Sequence, residues 1–340
     1  MPQNYQTKNK TYLIYNFDHG RPQGFAKLKN TSDLYLKNKN KPTIVISNSY
    51  EGEIHLTRPD DFLERLHSIL REYDSDKIVL VMGDANLEKN YTTWYKGRKE
   101  KRIIGKCVYY PYTLLRRTIE HHNKNKIQKK YMASKPKHFI CMNAAAKPHR
   151  FHMVETLFSN NWNNLGHITY LNRYGPLTKH MANENFQGQN LHLDFTGKEI
   201  EQDTNQELLP PQYREACFDI VTESIVSDTS LFITEKTWKP ILYKTPFIPL
   251  GSKGMCKHLE KFFGIKLYSD MINYSFDYIN YPNRLHRIKE DNLRPLFKTD
   301  LKTINNWINN SKTQKNIIHN YNTLINLQMP TIIESIERQQ

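Results

Sequence analysis

The sequence predicts an α/β protein of two domains, each built on a mainly parallel sheet. Short apolar runs alternate with segments of helical spacing, which is the order typical of parallel strands joined by crossover helices. The run Lys77–Met82 (K-I-V-L-V-M) is almost entirely apolar, as expected for a strand buried on both faces. A length of 340 residues is more than one domain usually needs and suits two.

The first domain is predicted to span residues 1–134 and to contain several strands. Each strand is a short apolar run that leads into a polar or turn-rich loop. The runs are Thr11–Asn16, Pro42–Ser47, Lys77–Met82 and Val108–Tyr110. Before the third run, Asp60–Tyr73 places apolar residues three and four positions apart, which predicts a helix. Ligands usually bind beyond the carboxyl ends of such strands, so the loops that follow them are candidate binding positions.

The second domain is predicted to span residues 135–290, after a basic linker over Lys124–Lys137. A helix is predicted over Met255–Phe263, and a C-terminal helical segment is predicted for residues 291–340. The strands predicted before residue 223 are His138–Asn143, Ile168–Leu171 and Phe218–Thr222, and the helix is His149–Asn160. Residues 189–215 are polar without a clear period, which is typical of a long loop or excursion.

The segment from Ser230 to Gly251 is the most informative part of the chain. It reads S-L-F-I-T-E-K-T-W-K-P-I-L-Y-K-T-P-F-I-P-L-G. The pattern predicts a strand at residues 231–233, a helix capped by Thr234 with Pro240 near its first turn, a stop at Pro246, and a second strand over Phe247–Gly251.

This unit places Glu235 and Lys236 at a helix start, where free backbone N–H groups favour anions. A nucleotide-sugar pocket needs an acceptor for hydroxyl groups and a cation for the diphosphate, and the pair supplies both. A solvated surface ion pair is the alternative interpretation.

The same segment resembles the donor-binding segment of the α1,3-fucosyltransferase family. In that family an acidic residue and a Thr-Glu-Lys triplet precede a helix and a strand that runs from proline to glycine. The matching residues here are Glu223, Thr234-Glu235-Lys236 and Pro246–Gly251. The signature F-I-T-E-K-T-W-K-P-I is also similar to that of glycosyltransferase-like proteins of large phages and viruses.

The resemblance covers residues 135–280 and is sharp at the signature. It implies a nucleotide-sugar-dependent glycosyltransferase with the B-type glycosyltransferase fold, in which two Rossmann-like domains face a cleft. It further implies that Glu223 and Thr234 belong to the donor site, that Glu235 binds the donor sugar or ribose, and that Lys236 binds the ribose-phosphate end. The Glu223 segment, T-E-S-I-V-S-D, departs from the Glu-Asn-Ser of the family, so the identity of the sugar stays open.

Two further donor-binding residues are predicted at the start of the second domain. Asn143 ends a strand, and Arg150 opens the following helix. An arginine at such a position can bind a diphosphate through two parallel hydrogen bonds. Lys147 is an alternative cation, and a surface arginine is the alternative interpretation of Arg150.

A carboxylate of the first domain is the expected catalytic base of an inverting transfer, in which it deprotonates the acceptor hydroxyl. Glu51 is favoured, because the neighbouring Gly52 lets the backbone approach a ligand. Glu53, the pair Asp18-His19, and Asp84 are alternatives, and an ordinary polar loop is possible at each. A retaining outcome stays open.

No metal and no cofactor are expected, since lysine and arginine can neutralise the leaving diphosphate and the nucleotide-sugar is itself the substrate. Asp74-Ser75-Asp76 has the Asp-x-Asp spacing of metal sites, but it precedes a strand and is interpreted as a polar turn. His121-His122 is interpreted as solvated surface.

The formal charge of +15 favours polyanionic partners, or reflects a lysine-rich composition. The acceptor is expected to be a glycan or modified DNA. An aromatic and basic cluster is compatible with nucleic-acid binding or with a solvated face, and it comprises Trp94, Tyr95, Lys96, Arg98, Lys99, Lys101 and Arg102. A nucleic-acid-binding protein with a degenerate transferase fold is a third hypothesis.

No apolar run in the sequence approaches the length of a membrane span, and the first residues lack a signal-peptide core. The four cysteines lie far apart without a C-x-x-C pair, so a reducing compartment is expected. Together these features predict a cytoplasmic protein, in the host cell if the chain is viral.

Overall fold

The computed structural model describes residues 2–7, 10–17, 22–36, 40–48, 62–124, 134–171, 191 and 211–338. Within them the chain is an α/β protein with two sheets. It divides into two compact units. The first unit comprises Met1–Leu114, Thr229–Phe232 and Gln328–Gln340, and the second comprises Leu115–Asp228 and Ile233–Leu327. The domain bounds predicted at residues 134 and 290 stay predictions.

The first unit contains a mixed five-stranded sheet in the order β1-β2-β3-β4-β5. β1 runs antiparallel to β2, and the other neighbours are parallel. The strands are β1 Gln3–Gln6, β2 Thr11–Asn16, β3 Thr43–Asn48, β4 Ile78–Met82 and β5 Lys106–Tyr109. The predicted strands of this region are confirmed as β2 to β5. β1 was not predicted, because its exposed and mostly polar residues carry no strand pattern.

The second unit contains a parallel four-stranded sheet in the order β7-β6-β8-β9. Its strands are β6 Lys137–Asn143, β7 Gly166–Tyr170, β8 Ala216–Thr222 and β9 Phe247–Leu250. All four had been predicted within a few residues of these bounds. β8 and β9 are buried along their whole length, which explains why both are short, nearly continuous apolar runs.

Helices flank both sheets. They are α1 Pro22–Tyr35, α2 Phe62–Leu70, α3 Leu87–Gly97, α4 Tyr112–Lys124, α5 Pro148–Ser159, α6 Glu235–Leu242, α7 Met255–Phe263, α8 Asn283–Ile288, α9 Arg294–Lys298, α10 Leu301–Asn309, α11 Ser311–Ile325 and α12 Ile332–Arg338. A π-helical stretch, Lys289–Leu293, joins α8 to α9. The helices predicted for residues 60–73, 149–160 and 255–263 correspond to α2, α5 and α7.

The first sheet has a hydrophobic core on each face. Successive residues of a strand point to opposite faces, so Ile46 and Leu80 pack in one core while Val45 and Val79 pack in the other. Residues of α2 and α3 complete the first core. The second includes Ile333 of α12, so the last helix of the chain belongs to the core of the first unit.

Aromatic side chains pack the second unit around its sheet. The ring of Phe297 in α9 lies 5.1 Å from that of Phe139 in β6 and 6.2 Å from that of Phe218 in β8. Trp238 of α6 is fully buried, and its ring lies 4.8 Å from that of Phe263 in α7. These contacts fix α6, which carries the signature residues, against the body of its unit.

The structure corrects two expectations for the signature segment. Leu231–Ile233 is buried but is not a strand. The backbone of Leu231 instead donates to the Asp84 carboxylate (2.8 Å) and accepts from Ala85 (2.9 Å), so its polar groups are satisfied by a loop and not by a ladder. Pro240 lies inside α6 and not near its first turn, because the helix already begins at Glu235.

The interpretation of His121-His122 as solvated surface is wrong for His122. Its side chain is buried in the second unit, and its ring lies 5.3 Å from that of Tyr243 and 6.0 Å from that of Tyr321. In the part of the chain that the structure describes, no helix combines the length and the apolar character needed to cross a membrane.

Candidate functional site

The carboxyl ends of β6 and β8 meet at Asn143, which is fully buried. Its side-chain nitrogen donates to the carbonyl oxygen of Thr169 (3.1 Å), and its side-chain oxygen accepts from the hydroxyl of Thr222 (2.5 Å). Its backbone N–H donates to the Thr169 hydroxyl (2.9 Å). Asn143 therefore aligns the ends of β6, β7 and β8, and both ends of its amide are occupied by the protein itself.

Glu223 follows β8 directly, and its carboxylate has no exposed surface. One oxygen accepts from the backbone N–H of Thr234 (3.1 Å) and the hydroxyl of Thr237 (2.6 Å). The other accepts from the backbone N–H of Ser224 (3.1 Å) and the hydroxyl of Thr234 (2.5 Å). A carboxylate offers about four acceptor positions, so this side chain is saturated and fixes the start of α6 to the end of β8.

Thr234 caps α6 as the sequence predicts. Its backbone is extended, and its hydroxyl oxygen accepts from the backbone N–H of Lys236 (3.4 Å) while the hydroxyl proton goes to Glu223. The next residue, Glu235, is 7% exposed. Thr234 thus connects the buried Glu223 carboxylate to the helix start that presents Glu235 and Lys236.

Glu235 and Lys236 form an ion pair with Nζ to Oε1 at 2.5 Å. Burial alone would raise the pKa of Glu235, but the charges of Lys236 and Lys239 and the hydrogen bond from Lys236 outweigh burial, so the pKa lies below its ordinary value. Glu235 is therefore an ionised acceptor at neutral pH. The side chain of Lys236 is 15% exposed, so the pair sits at the edge of the unit and not on an open surface.

Arg150 lies behind this pair and is almost completely buried. Its guanidinium donates to the carbonyl oxygens of Ala145 (3.2 Å) and Glu223 (3.3 Å). Its Nε is buried and has no hydrogen-bond partner in the described part of the chain. Burial lowers the pKa of Arg150, which the charges of Glu235 and Glu223 oppose. Arg150 therefore adds a positive charge close beneath the site without reaching its surface.

His149 is a buried histidine that lies close to the positive charges of Arg150, Lys147 and Lys236. Its Nε2 lies 2.8 Å from the carbonyl oxygen of Glu223, and a carbonyl only accepts, so Nε2 carries the proton. Burial, followed by the charge of Arg150, lowers the pKa of His149 to about 3, and the charges of Lys147 and Lys236 add to the effect. The ring is neutral at physiological pH because it is buried, and the three cations around it also oppose its protonation.

Two lysines from separate segments converge on Ser224. The ammonium group of Lys147 donates to the carbonyl oxygen of Ser224 (2.7 Å), and that of Lys236 donates to its hydroxyl oxygen (3.1 Å). Neither lysine is fully buried, and Ser224 is half-buried. We call Lys147, Ser224 and Lys236 the lysine pair site. Its two cations contact the same residue, and the ammonium group of Lys236 also pairs with Glu235.

A small polar cavity lies next to the lysine pair site, between β8 and α6. It is lined in part by Asp219, Glu235, Lys236 and Lys239, and its volume of about 20 Å³ suits about one water. Burial raises the pKa of Asp219 to about 7, against the hydrogen bond from the Tyr213 hydroxyl (2.5 Å) and the charge of Lys239. The cavity is too small for a sugar.

The predicted base Glu51 lies outside the described residues, as do Glu53, Asp18 and His19. Asp84 is described, and its carboxylate is fully buried. One oxygen accepts from the backbone N–H groups of Asn86 (2.8 Å) and Leu231 (2.8 Å), and the other accepts from the side chain of Asn90 (2.8 Å). Asp84 therefore holds residues 229–232 to the first unit and has no exposed oxygen for an acceptor.

The aromatic and basic cluster is partly used inside the first unit. Trp94 is buried and carries the guanidinium of Arg98 4.9 Å from its ring centroid. Arg102 makes two hydrogen bonds to Glu88, at 2.7 and 3.0 Å. Lys96, Lys99 and Lys101 stay exposed. Asp74-Ser75-Asp76 leads into β4 as a turn, as interpreted from the sequence, and Asp74 pairs with Lys41 (3.2 Å).

Ser224 and Thr237 are the site residues that the sequence did not single out. Ser224 meets Lys147 across a separation of 77 residues, which no local pattern encodes. Thr237 stands three positions after the cap, where a side chain turns back toward the helix start, and this spacing was the available signal. Comparisons with protein-family models, curated proteins and solved structures returned no match.

Proposed function

We propose that the chain is a glycosyltransferase that binds the diphosphate of a nucleotide-sugar at the lysine pair site. The observation that carries the proposal is the convergence of Lys147 and Lys236 on Ser224 at the start of α6. Arg150 supplies a third cation behind them, against the two carboxylates of Glu223 and Glu235. Partly buried cations that lie close together favour an anionic ligand.

The proposed roles follow from accessibility. Lys147 and Lys236 reach the surface, so they exchange Ser224 for the phosphate oxygens. Glu235 is ionised and accepts hydrogen bonds from the sugar or ribose hydroxyls. Arg150, Glu223, Thr234 and Asn143 are saturated or buried, and we assign them to positioning the two lysines and Glu235. This division refines the resemblance, which places Glu223 and Thr234 in the donor site.

The proposed chemistry is attack of an acceptor hydroxyl on the anomeric carbon, with departure of the nucleoside diphosphate. The leaving group gains negative charge as the bond to the sugar breaks, and ammonium groups already in position stabilise it. In this proposal the lysines take the role that a metal takes in other transferases. A carboxylate base, Glu51 in the sequence prediction, and the B-type arrangement of the two units are parts of the same proposal.

The test is a thermal-shift and calorimetric screen with UDP-, GDP-, ADP- and CMP-sugars. A donor that binds the native state raises the melting temperature by mass action. Lys147→Ala and Lys236→Ala should each weaken the donor that binds by about tenfold, equivalent to about 1.4 kcal/mol. Lys302→Ala, at an exposed lysine of α10, is the matched control and should change nothing. Full retention of affinity in both site variants would refute the proposal.

A second candidate function involves nucleic acid. In one form the enzyme transfers the sugar to modified DNA, and in the other the chain is a nucleic-acid-binding protein with a transferase fold. The net charge of +15 and the exposed lysines at positions 96, 99 and 101 favour it. DNA retention that falls steeply between about 50 and 200 mM salt would support it. Tight DNA binding without any nucleotide-sugar binding would favour the binding protein over the enzyme.

A further inference from the structure

The second unit contains a groove that shares no residue with the lysine pair site. Its volume is about 460 Å³, which is within the usual range for small-molecule sites. One wall is α7, and the other is the chain from residue 267 through the 3-10 turn Tyr274–Tyr278. Its polar lining side chains include Lys257, Glu260, Ser269, Asp270, Ser275 and Tyr278. We call this the α7 groove.

Several polar side chains of the α7 groove have donors or acceptors that are not used in hydrogen bonds within the described part of the chain. Glu260, Ser269 and Ser275 are exposed, and in the described part of the chain their side chains make no hydrogen bond. Asp270 uses one oxygen for the indole N–H of Trp307 (3.1 Å), which leaves the other available. The groove therefore offers hydroxyl and carboxylate oxygens spaced along both walls.

An aromatic ring stands at the groove. Tyr278 is 58% exposed, so a ligand can reach its ring. The ammonium group of Lys257 lies 5.7 Å from its ring centroid, so one side of the ring is already supported by the protein. A ring held in this way is a flat apolar platform with a polar hydroxyl at its tip.

The charge of the groove restricts its ligand. The lining carboxylates Glu260, Asp270 and Asp277 outnumber the lining cation Lys257, and Lys312 lies 4.0 Å from the Asp270 carboxylate. The groove therefore has no excess of positive charge that would favour a phosphate or nucleic acid. Asp277 is already occupied by the backbone N–H groups of Cys256 (2.9 Å) and Lys257 (3.1 Å). No group of three or more metal-ligating side chains occurs among the described residues, so the carboxylates are not arranged as a cation site.

We propose that the α7 groove binds a neutral saccharide. A sugar ring has an apolar C–H face that packs on an aromatic platform, here Tyr278. Its hydroxyl groups both donate and accept, which matches the hydroxyls of Ser269 and Ser275 and the carboxylates of Glu260 and Asp270. The inference goes beyond the donor site, because it assigns a separate position to a saccharide that carries no nucleotide.

The experiment is calorimetric titration of the full chain with two neutral trisaccharides, chitotriose and cellotriose, in the absence of any nucleotide. Saturable binding of at least one, with a Kd on the order of 1 mM, is expected. Tyr278→Ala should weaken it by about tenfold, and Tyr278→Phe should keep it within about threefold, since the platform is retained. Glu260→Gln should weaken it less than Tyr278→Ala.

Tyr5→Ala is the matched control, because Tyr5 is also an exposed tyrosine, at 48%, but lies on β1 in the first unit. It should leave trisaccharide binding unchanged. The inference is overturned if neither trisaccharide binds, or if binding survives Tyr278→Ala in full. Because no nucleotide is present, either result leaves the proposed donor site untouched, and failure of the donor screen leaves the α7 groove untouched.

Discussion

Replacement of Glu223 by glutamine tests the central claim about the site, namely that this carboxylate holds α6 in place. The change keeps the shape of the side chain but turns one acceptor oxygen into an NH₂ donor. Each oxygen of Glu223 accepts from one hydroxyl and one backbone N–H. The hydroxyls of Thr234 and Thr237 can rotate and accept from the new NH₂ group, but a backbone N–H cannot.

The expected cost therefore comes from one backbone N–H that loses its acceptor. The amide is expected to turn its nitrogen toward Ser224, whose N–H is only part-buried, and to keep its oxygen for the buried N–H of Thr234. A hydrogen bond to a charged group contributes about 1.5–3 kcal/mol, so Glu223→Gln should lower the free energy of unfolding by about 2 kcal/mol. Glu223→Ala leaves all four donors without an acceptor and should cost more than twice as much.

Urea unfolding followed by tryptophan fluorescence measures this cost. Three of the four tryptophans (residues 162, 238 and 307) belong to the second unit, so the signal mainly reports that unit. Glu120→Gln is the control, because Glu120 is an exposed glutamate of α4 in the same unit. Equal midpoints and slopes for Glu223→Gln and Glu120→Gln would contradict the positioning role, since both changes remove one negative charge.

Three further predictions concern single side chains. Thr234→Ala should lower the free energy of unfolding by about 2 kcal/mol, since it removes a helix cap and a hydrogen bond to a buried carboxylate, and Thr234→Ser should restore most of it in the same urea assay. The folded-state pKa of Asp219, raised to about 7, lies above its ordinary value of 3.8, so the native state holds this proton more tightly than the unfolded state. Its contribution to stability should fall as pH rises from about 4 to about 7, and urea midpoints of Asp219→Asn against wild type should show a fall that the variant lacks. Gly105→Ala should destabilise the first unit by about 1–3 kcal/mol, because a Cβ there would lie 2.2 Å from the backbone oxygen of Ser75, whereas Gly97→Ala, with nothing within 4 Å, should be neutral by thermal unfolding.

The fold followed from the sequence where burial produced an unbroken pattern. β4 and β9 are buried along their length, and each had been predicted to within one residue of its observed bounds. α7 was also predicted correctly, because its apolar spacing is bounded by two glycines. Gly254 precedes the helix and Gly264 follows it, with positive φ angles of 79° and 70°. α1 was missed because its apolar residues are sparse, with Phe25 and Leu28 as the buried ones among those described.

The apolar run at residues 231–233 shows the limit of pattern reasoning. Three consecutive apolar residues predict a strand, but the spacing and composition of the residues do not indicate which groups hydrogen-bond to their backbone N–H and C=O groups. Here Asp84 and Ala85, more than 140 positions earlier, take the polar groups of Leu231. The hydrophobic pattern therefore fixed the burial of the run, while a distant carboxylate decided its hydrogen bonding.

The candidate site shows the same limit: contacts between near neighbours in the chain were predictable from the sequence, and contacts between distant residues were not. The sequence predicted the cap at Thr234 and the pair Glu235-Lys236 at the helix start, because both depend on neighbours in the chain. The resemblance implied that Glu223 belongs to the donor site, and Arg150 was preferred to Lys147 because a guanidinium can bind a diphosphate through two parallel hydrogen bonds. The structure shows Glu223 saturated and Arg150 buried, because both side chains turn toward carbonyl and N–H groups that only the folded unit brings near.

In the proposed donor site, the buried charge of Arg150 and the contacts of Lys147 and Lys236 with Ser224 both favour anion binding. A free lysine side chain loses about 2 kcal/mol of rotamer entropy when it is fixed, and this cost opposes binding. Both ammonium groups already rest on Ser224, so part of that entropy is lost on folding and not on binding. The guanidinium behind them also raises the local positive potential, which adds to the effect of burial in lowering the pKa of the neighbouring His149. A diphosphate that replaces Ser224 as acceptor would thus meet two cations already in position, with a third charge that needs no movement to act.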